Sequence, residues 1–441
     1  MPRRVILMGA GGRDFHDFNV VFRDNPEAEV IAFTATQIPG IEGRTYPPSL
    51  AGPRYPRGIP ILAEDELPRL IAEGRVDEVV FAYSDVSYTE VMRRAAISAA
   101  AGADFTLLGP RSTMLESKKP VIAVCAVRTG AGKSQTSREI GRILLEAGLQ
   151  VALLRHPMPY HDLDRIAVQR FASLADIDQS DPTVEEREEY ERPVEMGIVV
   201  YAGVDYGEIL ARAEQEAEVI IWDGGNNDLP FIRPDLLLVV ADPLRAGDEL
   251  NYHPGEVNLR MADVVIVNKV DSATGNQVHR VLDDIALANP DAAVMEAVSP
   301  VSLAEGPSLA GKTVLVVEDG PSITHGGMSF GAGTVAARQA GVGTQIDPRP
   351  FAVGSIAETY RRFPHIGPVL PAMGYSHEQV RELEQTINAA DCDAVIGGTP
   401  IDLARVIGSD HPIRRASYEF EHRSGPSLME VLSGVVGLGA R

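Results

Sequence analysis

Residues 127-VRTGAGKSQTSR-138 place Arg128, Thr129, Gly130, Ala131, Gly132, Lys133, Ser134 and Gln135 directly after the apolar run 120-PVIAVCAV-127. A strand that delivers small residues, then a lysine and a hydroxyl, then a helix, is the arrangement that cradles phosphates. Backbone N–H groups face the oxygens, Lys133 reaches the β- and γ-phosphates, and Ser134 offers its hydroxyl to magnesium. The helix expected over 135-QTSREIGRILLEAG-148 points its positive end at the same place. The spacing departs from G-x-x-x-x-G-K-[ST] at Val127, where glycine is usual. Arg128 stands where one group of such loops carries a second lysine, and there it would contact a phosphate within its own protomer or across a dimer.

Two further strand ends bear on a nucleotide. In 219-VIIWDGGNND-228 an aspartate ends an apolar run, the position from which a carboxylate completes a magnesium shell, so Asp223 is paired with Ser134 as a metal candidate. Gly224 and Gly225 would admit the γ-phosphate, and Asn226 and Asn227 would orient a nucleophile. The run 264-VVIVNKVD-271 holds N-K-x-D after a strand, which makes Asn268 and Asp271 base-contacting candidates. That pattern reads guanine in GTPases, yet Asn-Lys at this place also occurs in ATP-using relatives, so the base stays open.

Cations able to gather phosphate charge lie at other strand ends and in glycine-rich loops. Arg155 and His156 follow the strand expected at 150-QVALLR-155, His253 and Arg260 lie in 251-NYHPGEVNLR-260, and His325 lies in 324-THGGMSFGAG-333. Lys133, Arg155 and His253 are the catalytic candidates, and Arg155, His156, Arg260 and His325 the substrate-binding ones. Near the start, 8-MGAGGRDFHDFN-19 begins like a dinucleotide fingerprint but has Asp14 at the third glycine position, which argues against NAD. Arg13 and His16 are instead expected to bind an anion, with Arg44, Arg54 or Arg57 from the Pro/Gly-rich segment 37–60, or to form a lid or dimer contact.

The elements that must position these groups alternate as parallel βαβ units do. Short apolar runs at 4–8, 30–33, 76–84 and 103–110 alternate with segments such as 88-YTEVMRRAAISAAAG-102, and near-continuous apolar runs at 120–127, 218–223, 236–242 and 263–269 indicate a parallel sheet covered on both faces. Asp205 is expected to cap a helix over 205–218. The fold class expected is α/β: a Rossmann-like N-terminal domain over 1–118, a P-loop NTPase core with a mostly parallel sheet over 119–345, and a C-terminal α/β portion over 346–441. Runs at 313–319, 368–374 and 393–400 either extend the central sheet or build a third lobe. The acidic stretch 176-DIDQSDPTVEEREEYE-191 is a solvated face or a lid.

A formal charge of −22 and a pI near 4.9 argue against tracking nucleic acid or an anionic membrane by bulk electrostatics. Two cysteines, Cys125 and Cys392, beside apolar runs read as reduced thiols and suggest the cytoplasm. The apolar run near the start is too short for a signal or spanning segment.

The strings GAGKSQTSR, LRHPMPYHDL, EEREEYE, DYGEIL, WDGGNND, ADPLRAGDE, YHPGEVNLRMADVVIVNKVD, EDGPSITHGGMSFGAG and GGTPIDLARVI together resemble the cyclic 2,3-diphosphoglycerate synthetase family over nearly the whole chain. The resemblance implies an ATP-dependent ligase. In it, 2,3-bisphosphoglycerate closes into a ring through an intramolecular phosphoanhydride, with release of ADP and phosphate. It further implies ATP as substrate, Mg2+ as cofactor and a small phosphorylated acid as partner. A homodimer is expected, since P-loop proteins of this broad group often pair across the nucleotide face. The alternative is a GTPase switch or metallochaperone-type NTPase that uses the NKVD motif.

Overall fold

The strand Val121–Ala126 is apolar at every position, and every position is buried. Its alternate residues enter two separate cores. Ile122, Val124 and Ala126 pack with Ile140, Ile143 and Leu144 of the helix Lys133–Glu146. Val121, Ala123 and Cys125 pack with Ile209, Leu210 and Ala213 of the helix Tyr206–Glu216, and with Val281 and Ile285 of Gly275–Ala288. A strand buried on both faces cannot alternate apolar with polar, which is why this run reads as continuous in sequence.

A computed structural model describes residues 1–35, 41–156, 161–225, 228–373, 377–400 and 402–437. Val121–Ala126 lies at the middle of a nine-stranded sheet. On one side follow Val219–Trp222, Val151–Leu154, Val199–Ala202 and Gln169–Phe171; on the other follow Leu236–Ala241, Val264–Val267, Ala293–Val298 and Glu421–Ser424. Only the two outermost pairings are antiparallel. Val121–Ala126 runs parallel to both neighbours, so its carboxyl end opens between Asp223 and Asp242, each one residue past a neighbouring strand.

The first sheet has six strands in the order Thr45–Tyr46, Ile59–Ala63, Ala28–Ala35, Arg3–Met8, Glu78–Phe81, Asp104–Leu107. Past its short antiparallel edge this is a Rossmann-type order, and the reversal point lies between Arg3–Met8 and Glu78–Phe81. The third sheet is centred on Thr313–Asp319, which pairs in parallel with Thr344–Gln345, Leu370–Ala372 and Ala394–Gly398. Its far edge is Ile413–Tyr418 and Val301–Leu303. A separate third lobe therefore starts near residue 301, and a break at 345 does not fall between sheets. The run 313-TVLVVED-319 is as apolar as the central strands, so composition could not say which sheet it joins.

Local signals account for the helix ends. Asp205 accepts from the Glu208 N–H, and Ser173 and Thr183 form capping boxes with Asp176 and Glu186 in the acidic stretch. Cys125 is buried and Cys392 partly so, and both are free thiols. Among the described residues, no helix is long and apolar enough to cross a membrane.

One close contact ties a helix to the entrance of the phosphate-binding loop. A Cβ on Gly255 would lie 2.3 Å from the Val127 carbonyl oxygen, a backbone atom that cannot swing aside. Gly255→Ala is therefore expected to lower unfolding free energy by about 1–3 kcal/mol in urea titrations. Gly275→Ala, with nothing near its added carbon, should stay within about 0.5 kcal/mol of the parent.

Candidate active site

The loop after Val121–Ala126 turns through Gly130 and Gly132, both at positive φ (79° and 118°). A side chain at Gly132 would also strike the Asn268 amide, 2.1 Å from the added carbon. Such a turn leaves three carbonyls facing the protein, and each finds a side-chain donor. Arg245 Nη1 donates to Thr129 O at 2.7 Å, Lys269 Nζ to Gly130 O at 2.5 Å, and Asn268 Nδ2 to Ala131 O at 2.9 Å. Asp242, almost wholly buried, holds both Lys269 and Arg245 at 2.9 Å. With its carbonyls braced, the loop presents Gly130, Gly132, Lys133 and Ser134 to a cleft of about 1340 Å³ lined by all three lobes.

Lys133 and Arg155 converge on Asp223. Lys133 Nζ bonds one carboxylate oxygen, Arg155 Nη1 the other at 2.5 Å, and Arg155 Nη2 reaches Glu189. Burial alone would raise the Asp223 carboxyl, but Arg155 and Lys133 outweigh it and hold it below the usual carboxylate range. Asp223 is therefore an anion at any neutral pH. Burial, reinforced by Arg155 and Lys133, lowers His156 to about 3, so its ring is neutral, and its shielded Nδ1 has no partner. The hydroxyl of Ser134 lines the cleft and makes no hydrogen bond among the described residues. A free hydroxyl and an ionised carboxylate are hard oxygen donors of the kind magnesium takes alongside water and phosphate. The residues present thus fit that ion. Among the described residues no three His, Cys, Asp or Glu side chains converge as a metal set.

The other candidates divide clearly. Arg13, His156 and His325 line the cleft with Arg155. Asp271 is exposed at its rim and accepts from Ser299 N at 3.4 Å, while the Ser299 hydroxyl donates to Gln135 Oε1 at 3.0 Å. Asn268 is wholly buried and acts as a loop brace. His16 is buried as well, stacked on Phe231 with Nε2 2.6 Å from Thr113 O, so it is a core residue and no anion ligand. His253 pairs with Val86 in a two-residue ribbon beside Phe81 and is not among the groups lining the cleft. Arg260 lies exposed on the helix Gly255–Met261, held by Glu256 and Ala288 O, while its neighbour Leu259 turns into the core.

Arg128 is not available to a phosphate in this arrangement. Its guanidinium is bound to Asp85, Asp248 and the His325 carbonyl. Arg54 is fixed on the carbonyls of Phe22, Asn25 and Ala28, and Arg44 on that of His161. The glycine-rich stretch after His325 does not present all its N–H groups to the cleft. Glu318 accepts from Gly331, Gly333 and Thr334, closing the N-terminus of Ala332–Gln339 with a carboxylate of its own. Gly225 lines the cleft beside the His156 ring, whereas Gly224 backs onto Trp222. Asn226 and Asn227 lie outside the described residues.

Several contributors had readable signals that composition alone did not rank. Asp242 ends an apolar parallel strand just as Asp223 does, and Lys269 is the middle of the N-K-V-D run. Asp85 follows the strand at the reversal point of the first sheet, yet only the fold brings it to the phosphate loop. Glu189 comes from the acidic helix Val184–Glu195, so that helix reaches the centre with at least one carboxylate.

No family model matches the chain. Among solved structures, it is similar to the hydrogenase maturation factor HypB of Archaeoglobus fulgidus, at 14% identity, 53% coverage of this chain, 90% of that one, and a TM-score of 0.28. It is also similar to the cobyrinic acid a,c-diamide synthase of Mycobacterium smegmatis with bound ATP analogue and magnesium, at 19% identity, 40% and 74% coverage, and a TM-score of 0.18. No argument rests on likenesses of that size. A curated relative is much nearer: the arginine synthetase ArcE of Thermococcus kodakarensis is 59% identical over 430 residues, which is 98% of this chain and 96% of the relative. Identity at that level over nearly the whole of both chains means that the chain belongs to the synthetase family that this relative represents.

Proposed function

We propose that the chain is an ATP-dependent ligase whose product carries a guanidinium group, arginine being the case named for its relative. The observation that carries this reading is the charge of the cleft. Most cations near the phosphate loop are already matched, Lys133 and Arg155 by Asp223 and Glu189, Arg128 by Asp85 and Asp248, Arg13 by Asp17, and Lys269 and Arg245 by Asp242, while Arg138 and Arg362 line the cleft without an ion pair among the described residues. Further carboxylates, Asp65, Asp228, Asp319 and Glu358, face the same space. A pocket so supplied favours a cationic ligand beside the nucleotide phosphates.

The chemistry follows from the product. A ureido oxygen attacks the γ-phosphorus of ATP, the bond to the β-phosphate oxygen breaks, and ADP leaves. An amine then adds to the activated carbon, phosphate departs with the former ureido oxygen, and the lost proton leaves a guanidinium. Lys133 follows the transferring oxygens and Arg155 fixes Asp223, while His156, held neutral, offers its unpartnered Nδ1 as a hydrogen-bonding group in the cleft. Magnesium, held by Ser134 and Asp223, supplies charge neutralisation at the β- and γ-phosphates when bound. The cytoplasmic and homodimeric states remain part of this proposal.

A second reading keeps the ring closure of 2,3-bisphosphoglycerate, favoured by the sequence strings quoted above. It needs several unmatched cations around a polyanion, and of the arginines and lysines lining the cleft Arg138 and Arg362 are without an ion pair among the described residues. A GTPase reading rests on Asp271 at the cleft rim. One experiment separates all three: phosphate release with ATP or GTP, with 2,3-bisphosphoglycerate or with a ureido amino acid plus ammonia, using ureido-18O. The expected result is ATP turnover only with the ureido acid and amine, with the label in inorganic phosphate. Turnover with the bisphosphate, or with GTP alone, would replace this reading.

Variants give independent checks. Lys133→Ala should lower kcat by about 10²–10³ and cost less stability than Arg155→Ala, because Arg155 still pairs with Asp223. Arg155→Ala removes a buried partner from Asp223 and the partner of part-exposed Glu189, and should cost about 3–5 kcal/mol in chemical denaturation.

Asp228 supplies a pH signature. Burial raises its carboxyl to about 6, partly opposed by Arg13. Above that pH it is an anion that attracts a cationic ligand, and below it is neutral. In the arginine-consuming direction, kcat/KM should fall about tenfold per unit below pH 6, and Asp228→Asn should flatten that limb.

A further inference from the structure

Arg128 is almost wholly buried, and its guanidinium joins the three lobes at the first residue of the phosphate loop. Nε donates to Asp85 Oδ1 at 2.7 Å, from the first lobe. Nη1 bonds Asp248 of the core. Nη2 donates to the His325 carbonyl of the third lobe at 3.0 Å. Its face lies 3.6 Å from the Tyr252 ring centroid.

The partners are themselves tied to the loop and to one another. Asp85 uses its second oxygen to accept from Thr129 N at 3.2 Å, so one carboxylate spans the first two loop residues. The chain after Asp85 then pairs, as Val86–Ser87, with Tyr252–His253. Arg245 runs beside Arg128 and bonds both Thr129 O and Gly326 O. In consequence, neither outer lobe can shift against the core without breaking a charge-assisted bond to the loop that receives the phosphates. The guanidinium spreads its donors over three nitrogens in a rigid plane and so spans three separated acceptors, whereas a lysine's three donors radiate from one atom on a flexible stem.

We propose that Arg128 is a positioning residue that couples nucleotide occupancy of the phosphate loop to closure of the first and third lobes over the cleft. Phosphates arriving at Gly130–Ser134 stiffen the loop, and Arg128 passes that restraint to residues 82–88 and 322–331. The inference needs only nucleotide binding at the loop and holds whichever co-substrate the cleft takes.

The test is amide hydrogen exchange on the full chain, without ligand and with magnesium and a non-hydrolysable ATP analogue. In the parent, nucleotide should slow exchange in both segments by about tenfold or more, within the usual range of site-to-site coupling. In Arg128→Lys, analogue affinity should stay within about threefold while the slowing in both segments drops below about twofold. Asp85→Asn provides a second variant if Arg128→Lys does not fold, with loss expected at 82–88. Persistent protection of both segments in Arg128→Lys, persistent protection of 82–88 in Asp85→Asn, or no nucleotide-dependent protection in the parent would overturn the proposal. So would a loss of analogue affinity by about a hundredfold in Arg128→Lys, the mark of a direct phosphate ligand. Failure of the ligase reading would leave these nucleotide-only outcomes unchanged, so the two can fail separately.

Discussion

A loop that aims its N–H groups at an anion must turn its carbonyls the other way, into the protein, and buried carbonyls demand donors. Here that demand organises the centre of the molecule. Thr129, Gly130 and Ala131 are satisfied by Arg245, Lys269 and Asn268, and the two cations share one carboxylate, Asp242. The N-K-x-D run and the Asp-ended strand Leu236–Ala241 are therefore as much the scaffold of the loop as they are neighbours of a base. Their parallel pairing brings these strand ends to the same edge.

Around that edge the electrostatics follow one rule: a buried charge is admitted with its counter-charge. Asp223 between Lys133 and Arg155 is kept ionised in spite of burial. Asp228, opposed mainly by Arg13, is pushed up to about 6. Two carboxylates in one cleft thus behave differently because their partners differ. Burial, with two cations already beside it, keeps His156 neutral.

Much of this was legible before any fold was known. The α/β class, the phosphate loop, the carboxylate after 219-VIIW-222 and the cap at Asp205 each rest on local pattern. What was illegible required knowing which chain segments meet. Arg128 is a loop residue by position, yet its role is set by Asp85, Asp248 and His325, far away in sequence. His253 and Arg260 sit beside promising motifs, yet a ribbon and a helix carry their side chains elsewhere. The glycines near His325 look like an anion cradle, and Glu318, an ordinary strand residue in sequence, fills part of it.

The edge strand Glu421–Ser424 has a consequence for how the molecule can bend. It pairs antiparallel with Ala293–Val298, and Val298 lies opposite Glu421. The chain leaves the central sheet just after one of these residues and re-enters it at the other. Everything between, including the sheet centred on Thr313–Asp319, is thus a single excursion whose exit and return are neighbours. A body hung from two adjacent points has one easy motion, a swing about the line between them, while twisting or sliding would tear the edge pairing. The geometry of attachment thereby selects a door-like movement for that body.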